Sequence, residues 1–224
     1  MSVPIVPAVI PTSRLELIEL TKTLRFSHEL HLDLVDGLFV GAASWPFTTT
    51  TIRDELLSMK PHTDSYTLEV DLMVSDPIPL ARLLIEAGAD MLVFHIETVD
   101  LASFVDFVTY APKSVSIGIS FHGDTMVDAV VPYLKHADYV QVMGIRIIGM
   151  QGQPFDEGVF SKIKAIKEAA PECGISVDGS VNESNAARLV AAGADRLIVG
   201  SAIVKQPDME AAYKLLCATV HEAV

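Results

Sequence analysis

Ionisable side chains interrupt three otherwise apolar segments, and their types and spacing could do chemistry. The segments are Leu30–Leu34, Leu68–Met73 and Ile175–Gly179. A strand buried on both faces should be almost continuously hydrophobic, because a buried charge without a partner is costly. The two-residue repeat of a strand puts His31 and Asp33 on one face of the first segment, and Glu69 and Asp71 on one face of the second.

One imidazole and three carboxylates are a reasonable ligand set for a divalent cation. The residues that would supply it are His31, Asp33, Asp71 and Asp178. Asp178 ends its apolar segment, and in a barrel of parallel strands this places it at the C-terminal rim, where active sites are assembled. The alternative for His31 and Asp33 is a pair satisfied by each other or by backbone amides, and for Asp178 a loop-capping carboxylate.

Two Gly-Ser pairs follow apolar segments near the end of the chain. They are Gly179-Ser180 and Gly200-Ser201. Backbone N–H groups exposed after the last two strands of a barrel are the usual phosphate site of such folds, so the substrate is expected to carry a phosphate. An ordinary strand-to-helix turn is the alternative.

Other residues carry weaker signals. His95 and Glu97 follow a further apolar segment and could line the mouth of a barrel, although a buried, hydrogen-bonded histidine fits the sequence equally well. Met73 and Met143 end two strands and could form an apolar floor under a substrate, or simply fill the core.

Short β-branched segments alternate with helical periods, which predicts eight βα units around a parallel sheet. The predicted strands are Pro4–Ile10, Leu30–Leu34, Thr67–Met73, Met91–His95, Ser114–Ser120, Tyr139–Met143, Gly174–Val177 and Leu197–Val199. The predicted helices include Ser13–Leu24, Pro77–Ala87, Asp124–Leu134, Gly158–Ala169, Glu183–Ala192 and Asp208–Cys217.

Two segments of similar sequence support this organisation, Glu86–Asp90 and Ala191–Asp195. Each contains a glycine at the point where a predicted helix ends and a strand follows. We therefore predict one α/β domain over residues 1–224, a (β/α)₈ TIM barrel. The alternative is an open doubly wound sheet. Two features disfavour it: the chain is short for eight regular units, and it lacks a Gly-x-Gly-x-x-Gly turn.

The composition excludes several classes of partner. The 224 residues carry a net charge of −13, which opposes binding to nucleic acid and to anionic membranes. The N-terminus lacks the features of a signal peptide, and no apolar run is long enough to span a membrane. Cys173 and Cys217 lack the spacing of a zinc or disulfide framework, so a cytoplasmic location is expected.

Several motifs, in this order, resemble those of the ribulose-phosphate 3-epimerase family, over essentially the whole chain. The most specific is His31–Val40, which is close to the second-strand signature of the family. The last two units resemble it through Val177–Gly179, Ala192–Asp195 and Gly200–Ile203, and Met143–Phe155 resembles its glycine-rich loop, which closes over the phosphate.

The resemblance implies an isomerase that inverts C3 of a ketose phosphate, such as ribulose 5-phosphate or xylulose 5-phosphate, through an enediolate. Asp33 and Asp178 would be the two acid/base groups, and Gly152 would belong to the phosphate loop. One divalent metal would be bound by His31, Asp33, Asp178 and a fourth residue. The resemblance also implies a homo-oligomer.

Departures from the family pattern bear on specificity. Asp71 stands where the family has a metal-binding histidine, which shifts the expected preference from zinc or iron toward manganese or magnesium. Ala8 replaces a serine, Val35 replaces a methionine of the apolar floor, and Arg146 lies in a slightly longer loop. We expect Ala8, Val35, Met73 and Met143 to line the substrate pocket.

Two alternatives to the epimerase remain open. One is a paralogue that binds a sugar phosphate without epimerising it. The other is a related phosphate-binding barrel with lyase or decarboxylase chemistry. Lys205 is the only lysine near a predicted C-terminal strand end, and the Asp-x-Lys-x-x-Asp array of orotidine decarboxylases is absent, so the second alternative is disfavoured.

Overall fold

The computed structural model describes residues 3–150 and 152–221. Eight parallel strands close into a barrel in chain order, which confirms the predicted (β/α)₈ architecture. The strands are β1 Ile5–Val9, β2 Glu29–Val35, β3 Thr67–Met73, β4 Met91–His95, β5 Ser116–Phe121, β6 Tyr139–Met143, β7 Gly174–Asp178 and β8 Arg196–Val199.

Helices surround this barrel. They are α1 Arg14–Thr23, α2 Ile52–Leu57, α3 Lys60–Thr63, α4 Pro77–Ala87, α5 Leu101–Tyr110, α6 Val127–Leu134, α7 Gly158–Ala169, α8 Ala186–Ala191, α9 Ser201–Val204 and α10 Met209–His221. None of the helices in the described ranges is long and apolar enough to cross a membrane.

The helix predicted over Glu183–Ala192 is shorter than expected, because α8 begins only at Ala186. Two asparagines explain the difference. Asn185 Oδ1 accepts from the backbone N–H of Asn182, and Asn182 Oδ1 accepts from the N–H of Ser184. These local bonds compete with helical ones and fold the preceding residues into a turn.

The two faces of the barrel wall differ in composition. The outward side chains are apolar and pack under the helices in one core, as Leu32, Val70 and Phe94 do with no exposure. The inward face carries buried polar side chains instead: His31, Asp33, Glu69, Asp71, His95, Ser120, Gln141, Ser176 and Asp178. The two-residue period of each strand therefore separates a folding face from a polar interior.

Aspartates just before alternate strands hold the N-terminal end of the barrel. Each carboxylate accepts the backbone N–H at the start of the preceding strand, at 2.7–2.9 Å. These aspartate clasps are Asp90 on Leu68, Asp138 on Ile117 and Asp195 on Ile175. The two near-repeated segments supply the first and the last, and Gly88 and Gly193 take the predicted positive φ, at 97° and 110°.

Candidate active site

Four side chains from β2, β3 and β7 converge inside the C-terminal half of the barrel. One ligand atom from each of His31, Asp33, Asp71 and Asp178 lies within 4.8 Å of the others. His31 Nε2 lies 3.1 Å from Asp33 Oδ1 and 4.0 Å from Asp71 Oδ2. The structure thus brings together the four residues that the sequence suggested as metal ligands.

Exposure divides this cluster. His31 and Asp71 have none, whereas Asp33 is 5% and Asp178 9% exposed. The two aspartates open into the pocket above, and the other two residues lie beneath it. A molecule in the pocket would therefore meet Asp33 and Asp178.

His31 is oriented by Glu69 from below. Its Nδ1 lies 2.6 Å from Glu69 Oε2, which leaves Nε2 facing the cluster. A carboxylate behind a histidine in this way fixes the ring and its tautomer, as it commonly does behind metal-binding histidines. Burial alone would lower the pKa of His31, but the charges of Glu69 and Asp33 raise it well above its usual value.

Glu69 is itself held by a dense set of donors. Tyr139 donates its hydroxyl to Oε1 at 2.6 Å, and Arg196 donates Nη1 to Oε2 at 2.5 Å. Burial alone would raise the pKa of Glu69, but His31, Arg196 and Tyr139 together lower it to about 2. Glu69 therefore remains a carboxylate and acts as a structural anchor.

Asp71 has a partner on each oxygen. Its Oδ1 accepts from His95 Nε2 at 3.0 Å, and its Oδ2 accepts from Gln141 Nε2 at 2.7 Å. Burial would lower the pKa of His95, but the neighbouring Asp71 charge raises it overall. His95 is thus buried and hydrogen-bonded, as one of the two interpretations of the sequence predicts. Glu97 instead accepts from the backbone N–H of His122, outside the cluster.

The carboxylates nearest the pocket have raised pKa values. Burial, followed by the charge of Asp33, raises the pKa of Asp178 to about 8. Burial also raises the pKa of Asp33, although its hydrogen bond to His31 opposes the rise. A carboxyl group with a pKa near 8, as Asp178 has, can gain and lose a proton near neutral pH, and the pKa of Asp33 moves in the same direction.

A pocket opens directly above Asp33 and Asp178. Its empty space, which includes space open to solvent, is about 470 Å³, and its lining includes Ala8, Met73 and Met143. The five residues predicted to bind phosphate line it as well: Gly152, Gly179, Ser180, Gly200 and Ser201. Val35 lies behind this lining, fully buried in a small apolar cluster with Met73 and Met143.

The turn after β7 has an unusual backbone. Gly179 and Ser180 both have positive φ, at 104° and 54°. A Cβ at position 179 would lie 2.7 Å from a side-chain carbon of Ile145, so glycine is required there. Ser180 Oγ donates to the backbone carbonyl of Gln153, which ties this turn to the loop after β6. Within the described ranges, the N–H groups of Gly179 and Ser180 donate no hydrogen bond.

A parallel barrel with a polar cluster at the C-terminal ends of its strands defines the class of (β/α)₈-barrel enzymes. The family model described as the ribulose-phosphate 3 epimerase family matches residues 5–204. The chain belongs to this family, and so to isomerases that act on carbohydrates.

Two curated relatives illustrate the similarity. The chain is 31% identical over 199 residues to ribulose-phosphate 3-epimerase of Aquifex aeolicus, covering 87% of this chain and 86% of the relative. It is 32% identical over 190 residues to ribulose-phosphate 3-epimerase of Bacillus subtilis, covering 82% of each. The resemblance deduced from the motifs is confirmed.

Solved structures extend the likeness of fold. A 3-keto-L-gulonate-6-phosphate decarboxylase from Vibrio cholerae has a TM-score of 0.75 at 13% identity, with all of both chains covered. A 3-hexulose-6-phosphate synthase has a TM-score of 0.73 at 19% identity, covering 98% of this chain and 100% of the other. At such identities the likeness shows a common barrel and carries no inference about chemistry.

Proposed function

We propose that this protein is a metal-dependent 3-epimerase of a ketose phosphate, either ribulose 5-phosphate and xylulose 5-phosphate or a related sugar phosphate. One observation carries the proposal: Asp33 and Asp178, the two carboxylates of the cluster that line the pocket, face the same space. Membership of the family supports epimerase activity on pentose phosphates.

Inversion at C3 needs one group that removes a proton and another that returns it to the opposite face of the enediolate. Asp33 and Asp178 are assigned these roles, exchanging them between the two directions of the reaction. The raised pKa values of both groups suit the task, because each must hold a proton in one direction of the reaction and release it in the other.

The donor set also fits a divalent cation. His31 Nε2 and one oxygen each of Asp33, Asp71 and Asp178 would hold it. His31 is supported by Glu69, and Asp71 by His95 and Gln141, which is how metal ligands are usually oriented. When bound, the cation supplies Lewis-acid stabilisation of negative charge on the substrate. Three carboxylates and one imidazole favour Mn²⁺ or Mg²⁺ over zinc or iron.

The rest of the pocket is assigned to binding. Backbone N–H groups in the turns after β7 and β8, with the loop after β6, would receive the phosphate. The residues are Gly152, Gly179, Ser180, Gly200 and Ser201. Ala8, Met73 and Met143 would form the apolar floor, with Val35 packed behind them.

Exchange of the C3 proton with solvent tests the proposal directly. The purified protein, loaded in turn with Mn²⁺, Mg²⁺, Zn²⁺ or Fe²⁺, is incubated in D₂O with pentulose and hexulose phosphates and followed by proton NMR. We expect loss of the C3 proton signal for at least one sugar phosphate. Tight sugar-phosphate binding without exchange, under every metal, would favour the non-epimerising paralogue instead. Sedimentation velocity tests the separate prediction of a homo-oligomer.

A further inference from the structure

Gln141 is a buried amide to which the proposed reaction assigns no step. It lies in the middle of β6, between the apolar Val140 and Val142, and has no exposure. An amide in this position must find hydrogen-bond partners. Its Nε2 donates to Asp71 Oδ2 at 2.7 Å, and because a carboxylate only accepts, this bond fixes which end of the amide faces Asp71.

The oxygen that Gln141 holds is the one nearest the cluster. Asp71 Oδ2 lies 4.0 Å from His31 Nε2, whereas Oδ1 accepts from His95. The two donors thus act on different oxygens and set the rotation of the carboxylate about its Cβ–Cγ bond. A carboxylate held in this orientation presents Oδ2 to a cation.

Polar side chains near Asp71 lie at the same level of the barrel on neighbouring strands. Ser120 pairs in register with both His95 and Gln141, and all three side chains have no exposure. Within the described ranges, Gln141 Oε1 has no hydrogen-bond partner, so the bond to Asp71 is the principal polar anchor of this amide. The amide would be a poor choice for core filling alone.

A donor at position 141 complements the residue type at position 71. Relatives are expected to carry a histidine where this chain has Asp71, and an imidazole is larger and stiffer than a carboxylate. The rotation of the Asp71 carboxylate is restrained from the neighbouring strands, by His95 on one oxygen and by Gln141 on the other.

We infer that Gln141 is a positioning residue for the cation, which lets Asp71 act as a one-oxygen ligand at the position where the family resemblance implies a histidine. The inference rests on the proposed function. Gln141 is absent from the pocket lining, and it acts through the short bond to Asp71 Oδ2, beside which its contact with Met143 Sδ at 3.7 Å is weak. Partners of this kind typically contribute about 10–100-fold to metal affinity.

The test is a double-mutant cycle read by calorimetry. Chelator-treated protein is titrated with MnCl₂ as the unsubstituted chain, Gln141→Met, Asp71→His and the double variant. Methionine matches glutamine in length but cannot donate. We expect Gln141→Met to weaken Mn²⁺ binding about 10–100-fold in the native background and by no more than about twofold beside His at position 71.

Ser120→Ala is the matched control, since it removes a buried polar group at the same level that has no hydrogen bond to Asp71. Its Mn²⁺ affinity should stay within about twofold. Circular dichroism verifies folding of each variant. If Gln141→Met does not fold, Gln141→Leu repeats the cycle, because leucine is also buried readily and has no donor.

Unchanged affinity in Gln141→Met, or an equal loss in both backgrounds, overturns the inference while the epimerase proposal stands. Failure of the unsubstituted protein to bind Mn²⁺ overturns the inference together with the metal site. C3 exchange, measured on the same samples, then decides separately whether the epimerase proposal falls as well.

Discussion

Glu69 and Asp178 are buried carboxylates inside one barrel, yet their pKa values move in opposite directions. Glu69, toward the N-terminal end, is bonded to His31, Tyr139 and Arg196, and its pKa falls to about 2. Asp178, at the mouth, lies beside Asp33 and receives no side-chain hydrogen bond from the described residues, and its pKa rises to about 8. Burial opposes the charge at both places, and only the partners differ.

The contrast separates a supporting carboxylate from a reactive one. A carboxylate surrounded by donors is locked in its charged form and can only hold its neighbours in place. A carboxylate that lacks donors is costly to charge and exchanges a proton readily. The partners at the lower end of the interior therefore stabilise the fold, whereas the carboxylates at the mouth cost stability, which fits the acid/base role proposed for them.

The largest effect is expected at the mouth. Asp33→Asn should lower C3 proton exchange by about 10²–10⁴-fold, because the amide cannot accept the proton. Binding of inorganic phosphate, measured by calorimetry, should change little, since the turns after β7 and β8 are untouched. Asp124→Asn is the control, since it removes the same charge from an exposed loop outside the pocket. Equal loss of exchange and phosphate binding would show that Asp33 has been assigned the wrong role.

At the lower end, Arg196→Met should destabilise the fold. The substitution leaves the buried Glu69 carboxylate without the Arg196 guanidinium, and breaking a buried pair in this way typically lowers the free energy of unfolding by about 3–5 kcal/mol. Urea denaturation measures this free energy. Arg53→Met is the control, because Arg53 pairs with Glu86 at the surface and should contribute only about 0.2–1 kcal/mol. Similar losses in both variants would contradict the anchoring role of Glu69.

The pH dependence of Asp178→Asn sharpens the comparison. In the folded protein the Asp178 pKa is raised from 3.8 to about 8, so the folded state binds its proton more tightly than the unfolded state. This carboxylate therefore costs stability as pH rises from about 4 to 8. With chelator present, Asp178→Asn should be more stable than the native chain at pH 8 by a few kcal/mol, at about 1.4 kcal/mol per pKa unit. Denaturation midpoints measured across this range should converge near pH 4, and a constant difference would contradict the prediction.

The smallest effect concerns packing around Tyr139. A Cβ at Gly118 would lie 2.4 Å from Cζ of the Tyr139 ring, so Gly118→Ala should cost about 1–3 kcal/mol by overpacking. Gly41→Ala is the control, because nothing lies within 4 Å of its Cβ position. Thermal melts measure both. A neutral Gly118→Ala would mean that Tyr139 can move without loss, which would weaken its role as a partner of Glu69.

The sequence predicted the residues at the mouth of the barrel better than the residues that hold Glu69 beneath them. His31, Asp33 and Asp178 could be found because the strand period and the order of βα units determine which side chains meet at the C-terminal end. Arg196 and Tyr139 could not be found, because their partner Glu69 lies 127 and 70 residues away, and only the closed register brings them together.

The same limit applies to Gln141, whose contact with Asp71 spans 70 residues. Nothing in the local pattern of β6 marks this contact, apart from a polar residue in an apolar strand.

The bounds of α8 depended on asparagine side chains that compete with the helix. The interpretation of residues 1–224 as one domain stays a prediction, as do the roles assigned to the site residues.

The aspartate clasps at the N-terminal end divide the barrel into pairs of linked strands. Each clasp joins a strand to the segment before the next one, so β3 is tied to β4, β5 to β6 and β7 to β8. A chain divided between these pairs would keep every clasp within one fragment, whereas a break inside a pair would sever one. Fragment complementation would compare the two kinds of break. The unit that gene duplication could copy intact, on this view, is a pair of βα units.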